Sequence, residues 1–245
     1  MPEAPFFNTL DRVDSTNNYA MAKVHAGLAR HGMAWFAKEQ TAGKGQRGKN
    51  WEAEPGKNIA MSIVLQPEWL NISNQFYLNA AMAVGCFNFF REYADSGTKI
   101  KWPNDLYWRD RKAGGILIEN IFQGALWKFS IVGIGININQ VTFNDTLKNP
   151  VSLKQITGMD HDCEDLAKVL CSALIMTAEK LKPSTFHDTM ETYNEHLFKR
   201  NENVRLKKGN MVFETVVKGV SGQGRLLTND STEREFDFGE VEWLL

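Results

Sequence analysis

The sequence has little of what marks secreted or metal-binding proteins. It contains three cysteines, Cys86, Cys163 and Cys171, an odd number without C-x-x-C spacing, which indicates reduced thiols and not a disulfide framework. Its histidines show no metal-ligand spacing. The first residues lack a basic segment followed by an apolar one, so we expect no signal peptide. Together these absences predict a cytoplasmic protein.

Long apolar runs and an excess of charge are also missing. The longest apolar-rich run, from Ala80 to Phe90, is interrupted by Asn88 and is too short to span a bilayer. Lys and Arg number 28 against 29 Asp and Glu, for a net charge of −1, so no overall field attracts nucleic acid or acidic membranes. We therefore expect neither a membrane nor a nucleic acid as partner.

The hydrophobic periodicity predicts a mixture of strands and helices. With 245 residues, the chain can bury one large core and a small appendage. The patterns predict strands at 6–13, 33–38, 59–65, 99–102, 114–122 and 126–138, and helices at 16–28, 73–93, 165–181 and 184–198. After a polar linker at 199–203, short β runs and Gly-rich turns predict a β module of about five strands. We therefore expect two domains, 1–200 and 201–245.

The most unusual segment runs from Gly43 to Trp51, with the sequence G-K-G-Q-R-G-K-N-W. Its glycines free the backbone to approach a ligand, and Lys44, Arg47 and Lys49 bring positive charge with no acid nearby in the segment. This combination predicts an anion-binding loop. A P-loop NTPase is disfavoured, because Asn50 replaces the Ser or Thr that holds Mg²⁺ and no helix is predicted to follow.

Two further segments combine a lysine with residues that suit a ligand site. In the segment from Lys101 to Asp105, Pro103 keeps Trp102 extended and Asn104 begins a tight turn, which gathers polar side chains at a strand end. A carboxylate beside an amide can hold Mg²⁺ or a ribose hydroxyl, although an ordinary turn is the alternative. In the other segment, residues 112–117, a lysine precedes paired glycines, which suggests that something approaches the backbone closely.

The strand around residues 131–139 is predicted to have two different faces. One face carries apolar side chains and the other carries glycines and amides, namely Val132, Ile134, Ile136 and Ile138 against Gly133, Gly135, Asn137 and Asn139. The bare face predicts a slot for a flat ligand, with close helix packing as the alternative. A dinucleotide-binding fingerprint is not matched, because Ile138 stands at its third glycine position.

These four segments, in this order, resemble the motifs of the biotin–protein ligase family. The family loop has the pattern G-[RK]-G-[RQ]-x-G-x-x-W, which residues 43–51 match, and it is preceded by Gln-x-x-Gly, which begins here at Gln40. The K-W-P-N-D, K-x-x-G-I-L and G-x-G-x-N segments of the family correspond to residues 101–105, 112–117 and 133–137, and its early Ser-Thr-Asn to 15–17. The resemblance covers nearly the whole chain, and the motifs at these spacings are highly specific.

The resemblance implies an α+β fold, in which a mixed β-sheet flanked by helices, related to class II aminoacyl-tRNA synthetase cores, is followed by a small SH3-like β-barrel. Some members also carry an N-terminal helix-turn-helix domain and repress transcription, whereas this chain begins at the catalytic strand, so we expect a ligase only. The implied reaction forms biotinyl-5′-AMP from biotin and ATP, with Mg²⁺, and transfers biotin to a lysine of a biotin carboxyl carrier protein. The oligomeric state, a homodimer included, is left open.

The resemblance also implies roles for individual residues. The implied catalytic residues are Lys112 and Arg47, and the implied magnesium ligands are Asp105 and Asn104. The residues implied to bind biotin are Ser15, Thr16, Asn17, Gln40, Gly43, Lys44, Gly45, Gln46, Lys112, Gly114, Gly115 and Gly133. The residues implied to bind the nucleotide are Lys44, Arg47, Gly48, Trp51, Lys101, Asn104 and Asn137. Trp51 is expected to cap the adenylate when a mobile loop closes over it.

One departure from the family pattern and three alternative functions stay open. Many members have Arg where this chain has Gln46, so we expect weaker retention of the adenylate, or compensation by Arg47. A lipoate–protein ligase shares the fold and the chemistry, but its R-R-x-x-G-G-G segment is absent from the sequence. A non-catalytic biotin or nucleotide sensor has no need of Lys112 and a cationic loop. Nucleic-acid binding by the C-terminal module is disfavoured, because its aromatic residues lie among acids.

Overall fold

The structure is a computed structural model that describes residues 6–145 and 147–244. The outer limits of the two predicted domains, residues 1 and 245, lie outside these ranges. The strands of the first sheet are β1 (Phe7–Val13), β2 (Ala34–Gln40), β3 (Asn58–Leu65), β4 (Thr98–Lys101), β5 (Asp105–Trp108), β6 (Arg111–Gln123) and β7 (Leu126–Asn137). The helices are α1 (Thr16–His25), α2 (Gln75–Ala94), α3 (Leu153–Thr157), α4 (Cys163–Lys180) and α5 (Phe186–Glu195). Short 3-10 turns lie at residues 46–48, 72–74 and 183–185.

The first sheet is mixed, as predicted. Its seven strands lie in the order β1-β2-β3-β7-β6-β5-β4. Strands β1 and β2 run parallel, and every other neighbouring pair runs antiparallel. Every residue of the central strand β3 is buried, because helices cover both faces of the sheet at this point.

The two faces of the sheet carry cores of different size. The larger core packs α2 and α4 against the even-numbered side chains of β7, with Val132, Ile134 and Ile136 all buried. The smaller core packs α1 against the opposite face, where Ile131 lies. The predicted apolar face of β7 is therefore confirmed. The other face is left to α1 and to the polar residues described below.

Helix ends follow from local chemistry. Helix α4 begins where the carboxylate of Asp162 accepts hydrogen bonds from the backbone N–H groups of Glu164 and Asp165, each at 2.9 Å, which is a favourable N-cap. Helix α1 ends earlier than predicted, since Gly27 adopts a φ of 70° just beyond it and stops the helix. Both ends differ from the predicted limits by only a few residues.

The periodicity missed two short elements. Strand β5 directly follows the turn at residues 103–104 and pairs with β4 and β6. It is too short to show an alternation of polar and apolar residues in the sequence. Helix α3 is a single turn of five residues, held by a capping box between Ser152 and Gln155. Tertiary pairing and capping, not periodicity, stabilise both elements.

The C-terminal residues form a second sheet, as predicted. Its strands are β8 (Asn203–Lys208), β9 (Met211–Val220), β10 (Leu226–Asn229), β11 (Glu233–Phe236) and β12 (Glu242–Trp243), in the order β11-β10-β9-β8-β12. The apolar side of this sheet continues into the larger core. The indole of Trp102 donates a hydrogen bond of 2.8 Å to the carbonyl of Gly224, which ties the two sheets together. The division into domains at residue 200 stays a prediction.

Among the described helices, none combines the length and the apolar character that crossing a bilayer requires.

Candidate active site

The site lies on the sheet face covered by α1, where small residues pair across neighbouring strands. Ser62 of β3 lies opposite Gly133 of β7, and Gly115 of β6 lies opposite Gly135. Directly paired residues, and residues two apart on one strand, share a face. Glu119 of β6 therefore lies on this face too. These residues form a shallow floor on which longer side chains from α1 and the loops rest.

A polar network forms one end of this floor. The backbone N–H of Thr16 donates to Oε1 of Gln40 at 2.8 Å, and its hydroxyl donates to the same oxygen at 3.2 Å. The hydroxyl of Ser62 lies 2.8 Å from Oγ1 of Thr16 and donates to Oδ1 of Asn17 at 2.6 Å. Ser15, Thr16 and Asn17 are almost completely buried. The structure thus brings four of the predicted ring-binding residues together and adds Ser62.

The amide of Asn17 is bound by the protein itself. Its Nδ2 donates to Oε2 of Glu119 at 2.7 Å, and its side chain fills the space above Gly133. A Cβ atom on Gly133 would overlap Oδ1 of Asn17. In this structure the glycine makes room for Asn17, and its predicted role in making room for biotin stays a prediction. Gly114 is likewise closed in by the backbone, because a Cβ atom on it would lie 2.6 Å from the carbonyl oxygen of Gly135.

An ion pair lies at the other end of the floor. Nζ of Lys112 is 2.6 Å from Oδ1 of Asp105, with 35% and 26% of the two side chains exposed. A Cβ atom on Gly115 would lie 3.1 Å from that oxygen and 3.6 Å from Nζ. Gly115 therefore lets the pair rest on the strand. The two charges stay within reach of solvent and of a ligand.

The backbone holds Lys112 in place. Its N–H donates to the carbonyl of Asn149 at 2.9 Å, and its carbonyl accepts from the N–H of Val151 at 2.8 Å. The segment before α3 therefore runs beside the start of β6. This pairing fixes the base of the lysine side chain while its end remains partly exposed.

Two asparagines that were predicted to face the nucleotide donate hydrogen bonds to backbone carbonyls in this structure. Nδ2 of Asn104 donates to the carbonyl of Ile116, and Nδ2 of Asn137 donates to the carbonyl of Val151 at 3.1 Å. Both side chains are at least 95% buried. A buried carbonyl needs such a donor. Both asparagines therefore have a structural role in this structure, and their contact with nucleotide stays a prediction.

The predicted magnesium ligands do not form a cation site. Asp105 is already paired with Lys112, and the amide of Asn104 is directed at a backbone carbonyl. No group of three or more His, Cys, Asp or Glu side chains suited to a metal occurs within residues 6–145 and 147–244. Because Mg²⁺ is usually held by one or two carboxylates together with substrate phosphates, these residues do not fit a metal held by the protein alone.

The Gly-rich loop folds back on itself as a small hairpin. The N–H of Gly45 donates to the carbonyl of Lys49 at 2.7 Å, and the N–H of Trp51 donates to that of Gly43 at 2.8 Å. Between them, Arg47 adopts a φ of 55°, in the left-handed region that few non-glycine residues occupy. A Cβ atom on Gly43 would overlap the Trp51 carbonyl, so this glycine is needed for the hairpin to close.

The cations of the loop point in different directions. Nζ of Lys44 lies 3.7 Å from Oε1 of Glu119. Nη1 of Arg47 donates to the carbonyl of Gly239 at 3.3 Å, so the predicted catalytic arginine contacts the C-terminal segment. Nε2 of Gln46 donates to the carbonyl of Ile116 at 3.4 Å. Of these side chains, those of Lys44 and Gln46 lie against the site floor.

Trp51 occupies part of the slot that the sequence predicted for a ligand. A Cβ atom on Gly135 would lie 2.5 Å from a ring carbon of Trp51, so the indole rests directly on this glycine. Its Nε1 is buried and has no hydrogen-bond partner among the described residues. An unpaired buried donor is costly. The indole is therefore held by shape and not by polar contacts.

Lys101 is a second cation near the Lys112–Asp105 ion pair. Its Nζ donates to the hydroxyl of Tyr107 at 3.1 Å and lies 5.5 Å from the centre of the Trp243 ring. Burial lowers the pKa of Lys101 to about 8, while Asp105 acts in the opposite direction. Burial also raises the pKa of Tyr107 far above its usual range, so this hydroxyl stays protonated while its oxygen accepts the hydrogen bond from the lysine.

Sequence reasoning missed several contributors to this site. Ser62 is a polar residue within the apolar run of β3, and this interruption was the sequence feature that could have identified it as a site residue. Glu119 follows the K-x-x-G-I-L segment by two residues, which places it on the same face as Gly115 once the strand is known. Burial is the main cause of the lowered pKa of Lys101 and the charge of Lys148 adds to it, but Lys148 gave no signal, because an isolated lysine in a loop is usually solvated.

Comparisons with known proteins agree with this geometry. A model of the biotin/lipoate A/B protein ligase family matches residues 9–137, which is more than half of the chain. The chain belongs to the biotin/lipoate A/B protein ligase family. The predicted family is thereby confirmed, and the motifs that suggested it lie within or beside the matched residues.

Individual relatives and structures of this ligase family extend the match. The chain is 28% identical over 238 residues to a biotin--[acetyl-CoA-carboxylase] ligase of Paracoccus denitrificans, covering 92% of this chain and 95% of that one. It is 27% identical over 217 residues to the bifunctional ligase/repressor BirA of Escherichia coli, covering 88% of this chain and 66% of that one. The chain thus spans slightly less than two thirds of the length of the Escherichia coli relative.

The solved structures confirm the predicted fold. The biotin protein ligase of Aquifex aeolicus in complex with biotin and ATP has a TM-score of 0.82 at 25% identity, covering 98% of this chain and 99% of that one. The biotin protein ligase of Leishmania major in complex with biotinyl-5-AMP has a TM-score of 0.66 at 22% identity, covering 95% and 99%. The likeness extends over both sheets.

Proposed function

We propose that this ligase-family chain activates biotin with ATP as biotinyl-5′-AMP and transfers biotin to a lysine of a biotin carboxyl carrier protein. The observation that carries the proposal is the spacing of two groups on one sheet face. The polar network lies over Gly133, and the Lys112–Asp105 pair lies over Gly115, which is paired with Gly135. Gly133 and Gly135 are two positions apart on one strand and so lie about 7 Å apart. This distance suits biotin, with its bicyclic ring at the polar network and its short acyl chain reaching Lys112.

The first step brings two anions together. The biotin carboxylate attacks the α-phosphorus of ATP, the bond to the pyrophosphate oxygen breaks, and pyrophosphate leaves. Cations placed where charge develops lower this barrier. Lys112 is suited to this role, because Asp105 holds its Nζ at 2.6 Å and its side chain remains partly exposed. Lys101 adds a second positive charge at pH values below its lowered pKa of about 8.

The head group of biotin needs hydrogen-bond donors and acceptors at the other end. Oε1 of Gln40 already accepts two hydrogen bonds from Thr16, which fixes the orientation of its amide. Its Nε2 lies beside Gly43, 2.9 Å from where a Cβ would stand. That nitrogen is therefore a donor aimed at the loop side of the pocket. We assign it to a carbonyl oxygen of the ligand.

The second step needs a dry site. The lysine amine of the carrier attacks the acyl carbon, the bond to the phosphate oxygen breaks, AMP leaves, and the amine releases a proton. Water would destroy the mixed anhydride before this attack. The hairpin at residues 43–51 and the indole of Trp51 lie over the glycine floor, so they are placed to exclude water from it.

The decisive experiment is biotin-dependent exchange of pyrophosphate into ATP. We expect exchange with biotin, none with lipoate run in parallel, and loss of exchange in Lys112→Ala. Lys128→Ala removes an exposed lysine of β7 and serves as the matched control with unchanged exchange. Exchange with lipoate alone would identify a lipoate ligase. Binding of biotin without exchange would identify a sensor and contradict the proposal.

The carrier is tested separately. The protein is incubated with biotin, ATP and an isolated biotin carboxyl carrier domain, and the domain is then analysed by mass spectrometry. We expect one added biotinyl group, located on a lysine, and none when that lysine is replaced by arginine. Adenylation without transfer to the domain would overturn the assignment of the partner while leaving the activation step intact.

A further inference from the structure

Glu119 lies on the far side of the polar network from the Lys112–Asp105 pair, since it is paired with Ile131 while Leu117 is paired with Gly133 and Gly115 with Gly135, and the roles assigned above do not use it. It lies on β6, two residues beyond Leu117, and its side chain is 31% exposed. Its two carboxylate oxygens have different partners. Oε2 accepts the 2.7 Å hydrogen bond from Asn17, and Oε1 lies 3.7 Å from Nζ of Lys44.

The contact with Asn17 sets the direction of the polar network. A carboxylate can only accept, so Asn17 must turn its NH₂ group toward Glu119 and its carbonyl oxygen toward Ser62. The hydroxyl proton of Ser62 is then committed to Asn17, at 2.6 Å. The oxygen of Ser62 then accepts from the hydroxyl of Thr16, 2.8 Å away, whose proton is shared with Oε1 of Gln40. The carbonyl of Leu117, 3.5 Å from Nδ2 of Asn17, is a second and longer acceptor on the same side, so Glu119 supplies the shorter of the two contacts that orient Asn17.

The contact with Lys44 reaches the Gly-rich loop. Lys44 is the second residue of the hairpin, and 43% of its side chain is exposed. A partly exposed pair at this distance is weak and is screened by salt. The hydrogen bond from Asn17 is short and lies among buried residues, so it is the stronger of the two contacts.

We propose that Glu119 is a positioning residue that joins the ring-binding pocket to the Gly-rich loop. Through Asn17 it orients the pocket, and through Lys44 it holds the loop against the sheet. The ligand whose binding it supports is the biotin head group, so this inference rests on the proposed function. It adds that the order of the pocket and the order of the loop depend on the same carboxylate.

The variant Glu119→Gln keeps the size of the side chain and removes its charge. Gln can present its own NH₂ group to Asn17, so the shorter of the two contacts that orient Asn17 is weakened and only the 3.5 Å contact with the Leu117 carbonyl is kept. We expect biotin affinity, measured by calorimetry on the full chain, to fall about tenfold. Trypsin cleavage within residues 43–51 should rise about twofold to threefold without ligand, because only the weak contact with Lys44 is lost there.

Changing the ionic strength distinguishes the effect of the contact with Lys44 from the effect of the contact with Asn17. In the unchanged protein, raising the ionic strength should increase loop cleavage toward the level of Glu119→Gln, with little effect on biotin affinity, because exposed pairs are screened and buried hydrogen bonds are not. Because Lys44 is itself a trypsin site, cleavage is compared after Arg47 and Lys49, which both variants keep. There Lys44→Gln should reproduce the change seen in Glu119→Gln, and adding Glu119→Gln to it should change cleavage no further. Glu202→Gln, which removes the 2.8 Å partner of Lys199 outside the site, is the matched control and should change neither quantity.

The outcomes are distinct. If Glu119→Gln matches the unchanged protein in both measurements, or alters biotin affinity without altering the loop, the proposal is overturned. If the unchanged protein does not bind biotin, the proposed function fails. In that case, comparing loop cleavage of Glu119→Gln and of the unchanged protein without ligand still tests whether Glu119 holds the loop through Lys44.

Discussion

The indole of Trp51 lies on the backbone of Gly135, so closely that a methyl group on the glycine would come within 2.5 Å of a ring carbon. Trp51 ends the Gly-rich loop, and Gly135 belongs to the central part of the sheet. This contact therefore fixes the position of the loop over the glycine floor. It also explains why the bare face of β7 is bare, since a side chain at residue 135 would lift the loop.

Gly135→Ala should displace the loop. The added methyl overlaps the indole, and relieving such overpacking typically costs about 1–3 kcal/mol, so Trp51 must leave the floor. We expect faster trypsin cleavage within residues 43–51 and a fall of about tenfold or more in biotin-dependent pyrophosphate exchange. The double variant with Trp51→Ala should restore normal loop cleavage only if overlap is the cause. Unchanged cleavage in Gly135→Ala would contradict the contact.

Asp105→Asn should slow adenylation more than it weakens binding. The carboxylate holds Nζ of Lys112 at 2.6 Å, and a misplaced charge at a reacting centre can cost about 100-fold in rate. We expect the single-turnover rate of adenylate formation to fall by about 10- to 100-fold, with the KM for biotin changed much less. Asp110→Asn, a carboxylate in the next turn, is the control. A normal rate in Asp105→Asn would show that Lys112 needs no partner.

Lys101 should make ATP binding depend on pH. Burial lowers its pKa to about 8, so it loses its charge as the pH rises through that value and no longer neutralises phosphate. We expect the KM for ATP to rise above about pH 8 and to stay flat in Lys101→Arg, because guanidinium remains protonated. A rise that is the same in both proteins would assign the pH dependence to another group.

The same shift has a consequence for stability. Because the folded pKa of Lys101 lies below the unfolded value of about 10.4, the unfolded chain binds more protons between these two pH values. The burial of the charged lysine therefore opposes folding below about pH 8. This destabilisation should disappear as the pH rises through the window, which denaturant titrations of the protein and of Lys101→Met would measure.

Gln46→Arg should slow the escape of the adenylate. Gln46 lies over β6, with Nε2 3.4 Å from the carbonyl of Ile116, and brings no charge to the site. An arginine there can form charge-assisted hydrogen bonds with phosphate oxygens, which are about twice as strong as neutral ones. We expect release of biotinyl-5′-AMP, measured by rapid filtration, to slow by about threefold to tenfold. Gln46→Met, of similar length, should not slow it, and slower release in both would rule out charge as the reason.

Strong periodicity made most of the fold readable from the sequence. The run of α4 and the alternation of β7 predicted their buried faces, because burial on a helix or strand imposes a repeat of its own. Strand β5 and helix α3 are too short to show such a repeat. They exist because neighbouring strands and a capping box supply the hydrogen bonds that their own sequences cannot.

The site was predicted in part, for a related reason. The resemblance to the ligase family implied that Lys112, Gln40 and Thr16 serve one ligand, and the structure places these residues around one face of the sheet. The hydrogen bonds of Asn104 and Asn137 to backbone carbonyls were not predicted, because a polar side chain in a motif looks the same whether it faces a ligand or a buried carbonyl. The burial of both residues becomes visible only in the folded chain, and their contact with nucleotide stays a prediction.

The sequence by itself determined the family and, through the family resemblance, the mixed fold, because the family motifs are written in contiguous residues. The anion-binding character of the loop, which the sequence also indicates, stays a prediction. Tertiary structure alone decided which charges meet. Lys44 pairs with Glu119 and Arg47 reaches Gly239 across separations in the chain that no local pattern records. Coulombic and hydrogen-bond energies fall off within a few ångströms, so the partners of these cations depend on how the strands and loops pack.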